Sequence, residues 1–160
     1  MTRLKISLIT PSFNQAKFIE RTVRSVVEQR GDFDLEYLIC DGGSADGTLD
    51  ILRRYEGKLA WISEPDRGQV DAINNGLRRA TGDVLGWINS DDTLRPDALA
   101  RVAKAFQEHS EINWLHGRCD IIDEQDRVIR KWISAYKHWS CARYSFSRLL
   151  TENFISQMTV

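Results

Sequence analysis

The sequence lacks the marks of several large protein classes. Its 160 residues include only three cysteines, Cys40, Cys119 and Cys141, with no Cys-x-x-Cys spacing. That odd, scattered set argues against a disulfide frame or a zinc site and fits reduced thiols in the cytoplasm. No apolar run approaches the roughly 18 residues of a membrane span. MTRLKISLIT at the N-terminus passes straight into strand-like sequence, without a signal-peptide layout. There is no internal repeat, low-complexity tract or Pro/Gly/Ser-rich linker. Several motifs are missing too. Without Gly-x-Gly-x-x-Gly after the first strand a dinucleotide site is not expected, and without Gly-x-x-x-x-Gly-Lys-[Ser/Thr] there is no P-loop. No Gly-x-Ser-x-Gly supplies a hydrolase nucleophile. The first loop, Thr10-Pro11-Ser12, has none of the acids a receiver domain needs.

What is present is ordinary for one soluble globular domain, with 42% hydrophobic and 28% charged residues. The net charge is −1, but it is unevenly spread. From Arg127 to Thr151 there are six basic residues and no acid, so the front is acidic and the tail basic. That acid-free stretch suits either an anionic lipid or phosphate-bearing acceptor, or simply a solvated surface.

Over the first hundred residues, strands and helices alternate. Leu4–Ile9, Leu35–Cys40, Leu59–Ile62 and Asp83–Ile88 read as strands. Helices are expected over Ala16–Arg30, Gly47–Tyr55, Gln69–Ala80 and from about Pro96. In the first, Phe18, Ile19, Thr22, Val23, Val26 and Val27 form one stripe at helical period. This alternation predicts an α/β fold, a Rossmann-like, mostly parallel sheet with helices on both faces. Beyond residue 110 a strand is expected at Ile112–His116. A hairpin is expected around Asp123-Glu124-Gln125-Asp126. Ile133–Val160 carries no clear pattern, and its last residues, Phe154–Val160, read as a strand cut open, as in a fragment of a longer protein.

In a parallel sheet the loops after the strands share one edge, where ligands of open α/β sheets bind. Here those loops are Thr10-Pro11-Ser12-Phe13-Asn14-Gln15, Asp41–Thr48, Glu64-Pro65-Asp66-Arg67-Gly68 and Asn89-Ser90-Asp91-Asp92. The last sets two adjacent carboxylates at the mouth of an apolar run. Either a bound cation or the N-terminus of the helix near Pro96 would offset their repulsion. In extended chain Asn89 and Asp91 share a face and Asp92 takes the other. Hard cations such as Mg²⁺ and Mn²⁺ prefer such oxygens, which places Asp91 first and Asp92 second as metal ligands. Asp41 suits either a nucleotide contact or bracing of the Gly42-Gly43 turn. Asp46 reads as the cap of the second helix. His109, His116 and His138 share no ligand spacing. Tyr136 and Trp139 are open to stacking on a sugar or meeting an interface.

Taken together, Ile9–Asn14, Asp41–Thr48, Glu64–Gly68, Asp71–Gly76, Thr81-Gly82-Asp83 and Asn89–Asp92 resemble the family-2 glycosyltransferases of the GT-A fold. The resemblance covers residues 4 to 110, with a weaker echo at Asn153–Gln157. It implies a nucleotide-sugar-binding portion over 1–110 and the start of an acceptor-side portion over 111–160. It further implies inverting sugar transfer from a UDP- or GDP-sugar to an acceptor hydroxyl, as in polysaccharide biosynthesis, assisted by Mn²⁺ or Mg²⁺. The implied acceptor is a glycan or lipid-linked molecule, not nucleic acid; the expected setting is cytoplasmic, either free or at the inner face of the membrane. By this resemblance Thr10, Pro11, Ser12, Asn14, Asp41, Asp66, Arg67, Asn89 and Ser90 meet the donor, and Asp91 and Asp92 the metal. Asn89 departs from the family's Asp-x-Asp pattern, in which the first position is acidic. The general base is expected beyond Val160. The competing expectation is a nucleotide-sugar binder without turnover, or an inactive fragment.

Overall fold

The computed structural model describes residues 3–151 and residue 155. The chain divides into two compact units, Met1–Ile112 and Asn113–Val160.

In the first unit, β1 (Leu4–Ser12) is buried almost along its whole length. Successive side chains of a strand face opposite ways, so a strand buried on both faces reads as a nearly unbroken apolar run. β2 (Phe33–Asp41) lies parallel to β1, with Leu8 opposite Tyr37 and Ser12 opposite Asp41. β3 (Ala60–Ser63) adds to the outer side of β2, and β4 (Val84–Trp87) pairs with the other side of β1, all in parallel. The order is β3-β2-β1-β4. The chain thus winds one way from β1 and then jumps back across it, leaving a crevice between the carboxyl ends of β1 and β4.

α1 (Ile19–Val27) and α2 (Thr48–Arg53) bury Ile19, Val23, Val26 and Leu52 against Leu8, Tyr37 and Ile39. α3 (Gln69–Arg79) crosses the opposite face, where Ala72 meets Ile9 and Cys40. α4 (Ala98–Glu108) packs Leu99 and Ala103 on Ile6 and Phe33. Two helices start later than their apolar stripes suggest. Asn14 takes a left-handed φ of 52°, and residues 16–18 form a turn before α1 begins. Asp97 likewise sits at φ 60°, so Pro96 precedes α4 rather than opening it. The Leu99 amide donates to Gln29 Oε1 at 3.1 Å, and no side chain caps α4 at Asp97. Capping of α4 therefore does not account for Asp91 and Asp92.

In the second unit, β5 (Ile121–Ile122) and β6 (Val128–Ile129) form the expected antiparallel hairpin. Asp123 closes its turn, accepting from the Gln125 and Arg127 amides. No strand forms at Ile112–His116. Instead, α5 (Lys131–Ala142) and the short α6 (Phe146–Leu149) occupy the stretch for which the sequence suggested no element. Trp132, Tyr136 and Trp139 are exposed on α5 while Ser134 and Ser140 are buried, the reverse of the usual helical pattern. Arg143 and Arg148 lie over the Trp139 ring. The strand expected over 154–160 and the segment Asn153–Gln157 lie, Ile155 apart, outside the described residues. No helix among the described residues is long and apolar enough to cross a membrane.

Glu36 ties three segments of the first unit together. It accepts from Lys5 Nζ at 2.8 Å, Ser7 Oγ at 2.5 Å, and both the amide and hydroxyl of Thr81. Burial pushes its carboxyl up, but the four donors outweigh it and hold the pKa at about 2 against an ordinary 4.5. A carboxylate depressed on folding stabilises the fold above its unfolded pKa, and that stability is lost as pH falls toward the folded value. With a fifth of the side chain exposed, solvent screening leaves about 1–2 kcal/mol. Glu36→Gln is expected to lower stability by that amount at pH 7. It should also flatten the loss of stability between pH 4.5 and 2, as read by urea melts across that range.

Candidate functional site

The crevice at the switch point is a cleft of about 620 Å³. The end of β1 contributes Pro11 and Ser12 to it and the loop that follows Phe13 and Gln15; the turn after β4 contributes Asn89, Ser90 and Asp91. Gly42, Asp66 and the start of α3, Gly68, Gln69 and Ala72, complete the wall. Ser12 is 5% exposed, and its hydroxyl oxygen is buried without a hydrogen-bond partner among the described residues. Such an orphan in a cleft wall calls for a ligand or a water.

The walls are held by polar side chains behind them. Asp41 is buried, and its carboxylate accepts from the Gly43 and Ser44 amides, Ser44 Oγ and Ser63 Oγ. That bracing role is the one the geometry displays, and Asp41 does not line the cleft. The loops after β1 and β2 are laced together as well. Asn14 donates its amide to Ser44 Oγ and accepts from the Ala45 amide, and Gln15 N donates to Thr48 Oγ1. Asp46 accepts from the Ala16 amide at 2.9 Å and from the amide and hydroxyl of Thr48. Burial pushes the Asp46 carboxyl up, and its hydrogen-bond donors together more than reverse that, so its pKa is lowered. Asp66 Oδ1 accepts from the Gly68 amide at 2.7 Å, and the two Asp66 carboxylate oxygens lie 3.1–3.2 Å from where a side chain on Gly42 would begin. A side chain at residue 42 would require the Asp66 carboxylate to give by a few tenths of an ångström.

The structure places several donor candidates away from the cleft. Thr10 is fully buried, with its hydroxyl 2.9 Å from Tyr37 Oη, because it shares the inner face of β1 with Leu8. Asn14 faces the neighbouring loop, as above. Arg67 is 88% exposed and folds back on Asp71, four residues along. Pro11, Ser12, Asp66, Asn89, Ser90 and Asp91 do meet at the cleft. Phe13, Gln15 and Gln69 were not among the sequence candidates. Phe13 carried a signal, as the one aromatic in an otherwise polar loop, and it is 60% exposed.

The Asn89–Asp92 segment is a turn, not extended chain: the Asp92 amide donates to Asn89 O at 3.2 Å. Asn89 and Asp92 therefore meet, Asn89 Nδ2 donating to Asp92 Oδ2 at 2.9 Å, while Asp91 stands exposed on the cleft rim. Ser90 O accepts from Thr22 Oγ1, pinning the turn to α1. Burial pushes the Asp92 carboxyl up. The Asp91 charge adds to that shift, and the Asn89 amide and Arg21 oppose it. A cation at this turn would answer both the burial and the repulsion, so the donor set fits a hard divalent ion. Among the described residues no cluster of three or more His, Cys, Asp or Glu side chains stands ready for a metal. The protein's share is two carboxylates, to which a diphosphate would add its oxygens.

The family model described as glycosyl transferase family 2 matches residues 7–157. The chain belongs to that family. An uncharacterised glycosyltransferase of Nostoc sp. is 33% identical over 130 residues, which are 79% of this chain and 40% of the relative. S. aureus TarS 1–349, solved in complex with UDP-GlcNAc, superposes with a TM-score of 0.61 at 29% identity, over 67% of this chain and 32% of that one. The mannosyltransferase PcManGT from Pyrobaculum calidifontis, solved with GDP-Man and Mn²⁺, gives 0.61 at 26% identity, over 79% and 38%. The fold is that of these GT-A glycosyltransferases. The chain spans less than half the length of the Nostoc relative.

Proposed function

We propose that the cleft is the donor site of a divalent-cation-dependent glycosyltransferase that moves a sugar from a nucleotide-diphosphate sugar to an acceptor hydroxyl with inversion. The observation that carries this is the meeting of Phe13 and Ser12 with Asp91 in one cleft at the switch point of the sheet. Family membership and two superposed structures, one solved with UDP-GlcNAc and one with GDP-Man and Mn²⁺, support it.

Each wall then has a task. The exposed Phe13 ring offers a stacking face to the base, and base–aromatic stacking tolerates any base. Ser12 supplies a hydroxyl that no described residue pairs with. α3 begins on the cleft wall at Gln69 with no side-chain cap, so its first amides favour anionic oxygen. Asp91 and Asp92 would hold Mn²⁺ or Mg²⁺. When bound, such an ion neutralises charge growing on the leaving diphosphate. Asp41, Asn14 and Asp46 keep the loops in register from behind.

Thermal shift and calorimetry with UDP, GDP, UDP-GlcNAc and GDP-mannose test the donor site. The expected result is a shift of several degrees with at least one of them, larger with Mn²⁺ than with EDTA. No shift with any of the four overturns the reading. Sugar release in the presence of Mn²⁺ separates a transferase from a binder without turnover. Phe13→Ala is expected to weaken nucleotide binding about tenfold, the lower part of the range for one lost stacking contact. Because Phe13 is 60% exposed, the melting temperature should hardly change.

A further inference from the structure

Two carboxamides and a carboxylate stand in single file beside the cleft. Gln69 Nε2, at the first residue of α3, donates to Asn89 Oδ1 at 2.7 Å. Asn89 Nδ2 in turn donates to Asp92 Oδ2 at 2.9 Å. The direction of this file is forced from its end. An ionised carboxylate only accepts, so Asn89 must turn its NH₂ to Asp92 and its carbonyl to Gln69. Gln69 and Asn89 line the cleft, while Asp92 is half-buried beside them. The file joins the start of α3 on one wall to the acidic turn on the other.

We propose that Asn89 is a positioning residue, orienting Asp92 toward a cation-bound nucleotide diphosphate and oriented itself by Gln69. The proposal rests on the donor-site reading above and explains why a neutral amide stands where the family pattern has an acid. A carboxylate at residue 89 accepts the Gln69 bond equally well, but it has no proton to give Asp92. It would set two acceptors of like charge at contact distance, and Asp92 would swing away. Asn89→Asp therefore adds a negative charge to the site and removes the hold on one of its two carboxylates. Misplacing a group that supports a metal ligand typically costs 10–100-fold in metal affinity. The loss of position is thus expected to outweigh the gain of charge.

The test uses two readouts. In calorimetry with UDP and with GDP at saturating Mn²⁺, Asn89→Asp and Asn89→Ala are each expected to weaken nucleotide binding about tenfold, and Gln69→Ala about threefold. Tighter binding by Asn89→Asp, or unchanged binding by Asn89→Ala, overturns the proposal. Proton–nitrogen correlation spectra of the ligand-free protein supply the second readout. The Asn89 side-chain amide pair is expected to move in Asp92→Asn and in Gln69→Ala, and to stay in place in Asp71→Asn. An Asn89 pair that ignores both substitutions overturns the hydrogen-bonded file, whatever the nucleotides do. If the unaltered protein binds neither these nucleotides nor the two nucleotide sugars, the donor-site reading falls, and the spectra still decide the file.

Discussion

Replacing Asp91 with alanine is expected to remove the Mn²⁺-dependent part of nucleotide binding, with an affinity loss of about 100-fold or more. Loss of a supporting group alone costs 10–100-fold in metal affinity, and Asp91 is proposed as a ligand itself. Asp91 is the exposed carboxylate on the cleft rim, whereas Asp92 is partly withdrawn and held by Asn89. Because Asp91 is exposed, its removal should change stability by no more than about 0.5 kcal/mol. Asp46→Ala is the informative contrast. Asp46 accepts one hydrogen bond from Ala16, across to the segment after β1, and two from Thr48 at the start of α2. Its loss should cost about 1–2 kcal/mol of stability while leaving the Mn²⁺ dependence in place. Calorimetry with and without Mn²⁺, alongside melting curves, separates the two. Equal loss of binding in both variants would mean that the Asp91 effect is damage to the fold rather than loss of a ligand.

Gly76→Ala is expected to be strongly damaging for a single added methyl group in the first unit. A Cβ at Gly76 would lie 2.5 Å from Ile9 Cγ2 and 2.8 Å from Cγ1. Ile9 is fully buried in the central strand and has no room to retreat. α3 must instead lift from the sheet, opening its contacts with Ile9 and Cys40. Overpacking of this kind typically costs 1–3 kcal/mol and more where backbone must shift, against about 1 kcal/mol gained from alanine's helix propensity. A net loss of about 2–3 kcal/mol is expected, lowering the melting temperature by roughly 5–10 °C. Nucleotide affinity should fall as well, since Gly68 and Gln69 at the start of α3 form part of the cleft. Ile9→Ala removes Cγ1 and Cγ2, the two atoms approached most closely. Ile9→Ala/Gly76→Ala should therefore be less destabilised than the sum of the two single variants. Strict additivity in that cycle would count against the close approach as the cause.

Much of this was legible along the chain. Apolar stripes at helical period and short apolar strands marked the elements of the first unit, because burial on one helix face or both strand faces imprints its period on the sequence. Polar loops after each strand marked the edge that matters. The acidic turn stood out for the same reason, two like charges at the end of an apolar run. α5 was not legible, because its aromatic positions are exposed and its serines buried, so its periodicity points the wrong way.

The sequence by itself determined the α/β class, the parallel arrangement and the candidate residues, since each follows from local period, local composition or a motif read in order. Only the tertiary structure decided which of those residues meet. β4 pairs with β1 rather than β3, and that long-range pairing, which no local pattern encodes, puts Phe13 and Asp91 in one cleft. The same pairing and the alternation of β1 turn Thr10 into the core. A turn instead of extended chain brings Asn89 to Asp92, and the placing of α3 brings Gln69 to both. Residue type limits what a side chain can do; the direction it points, and its neighbours there, depend on contacts between segments far apart in the chain.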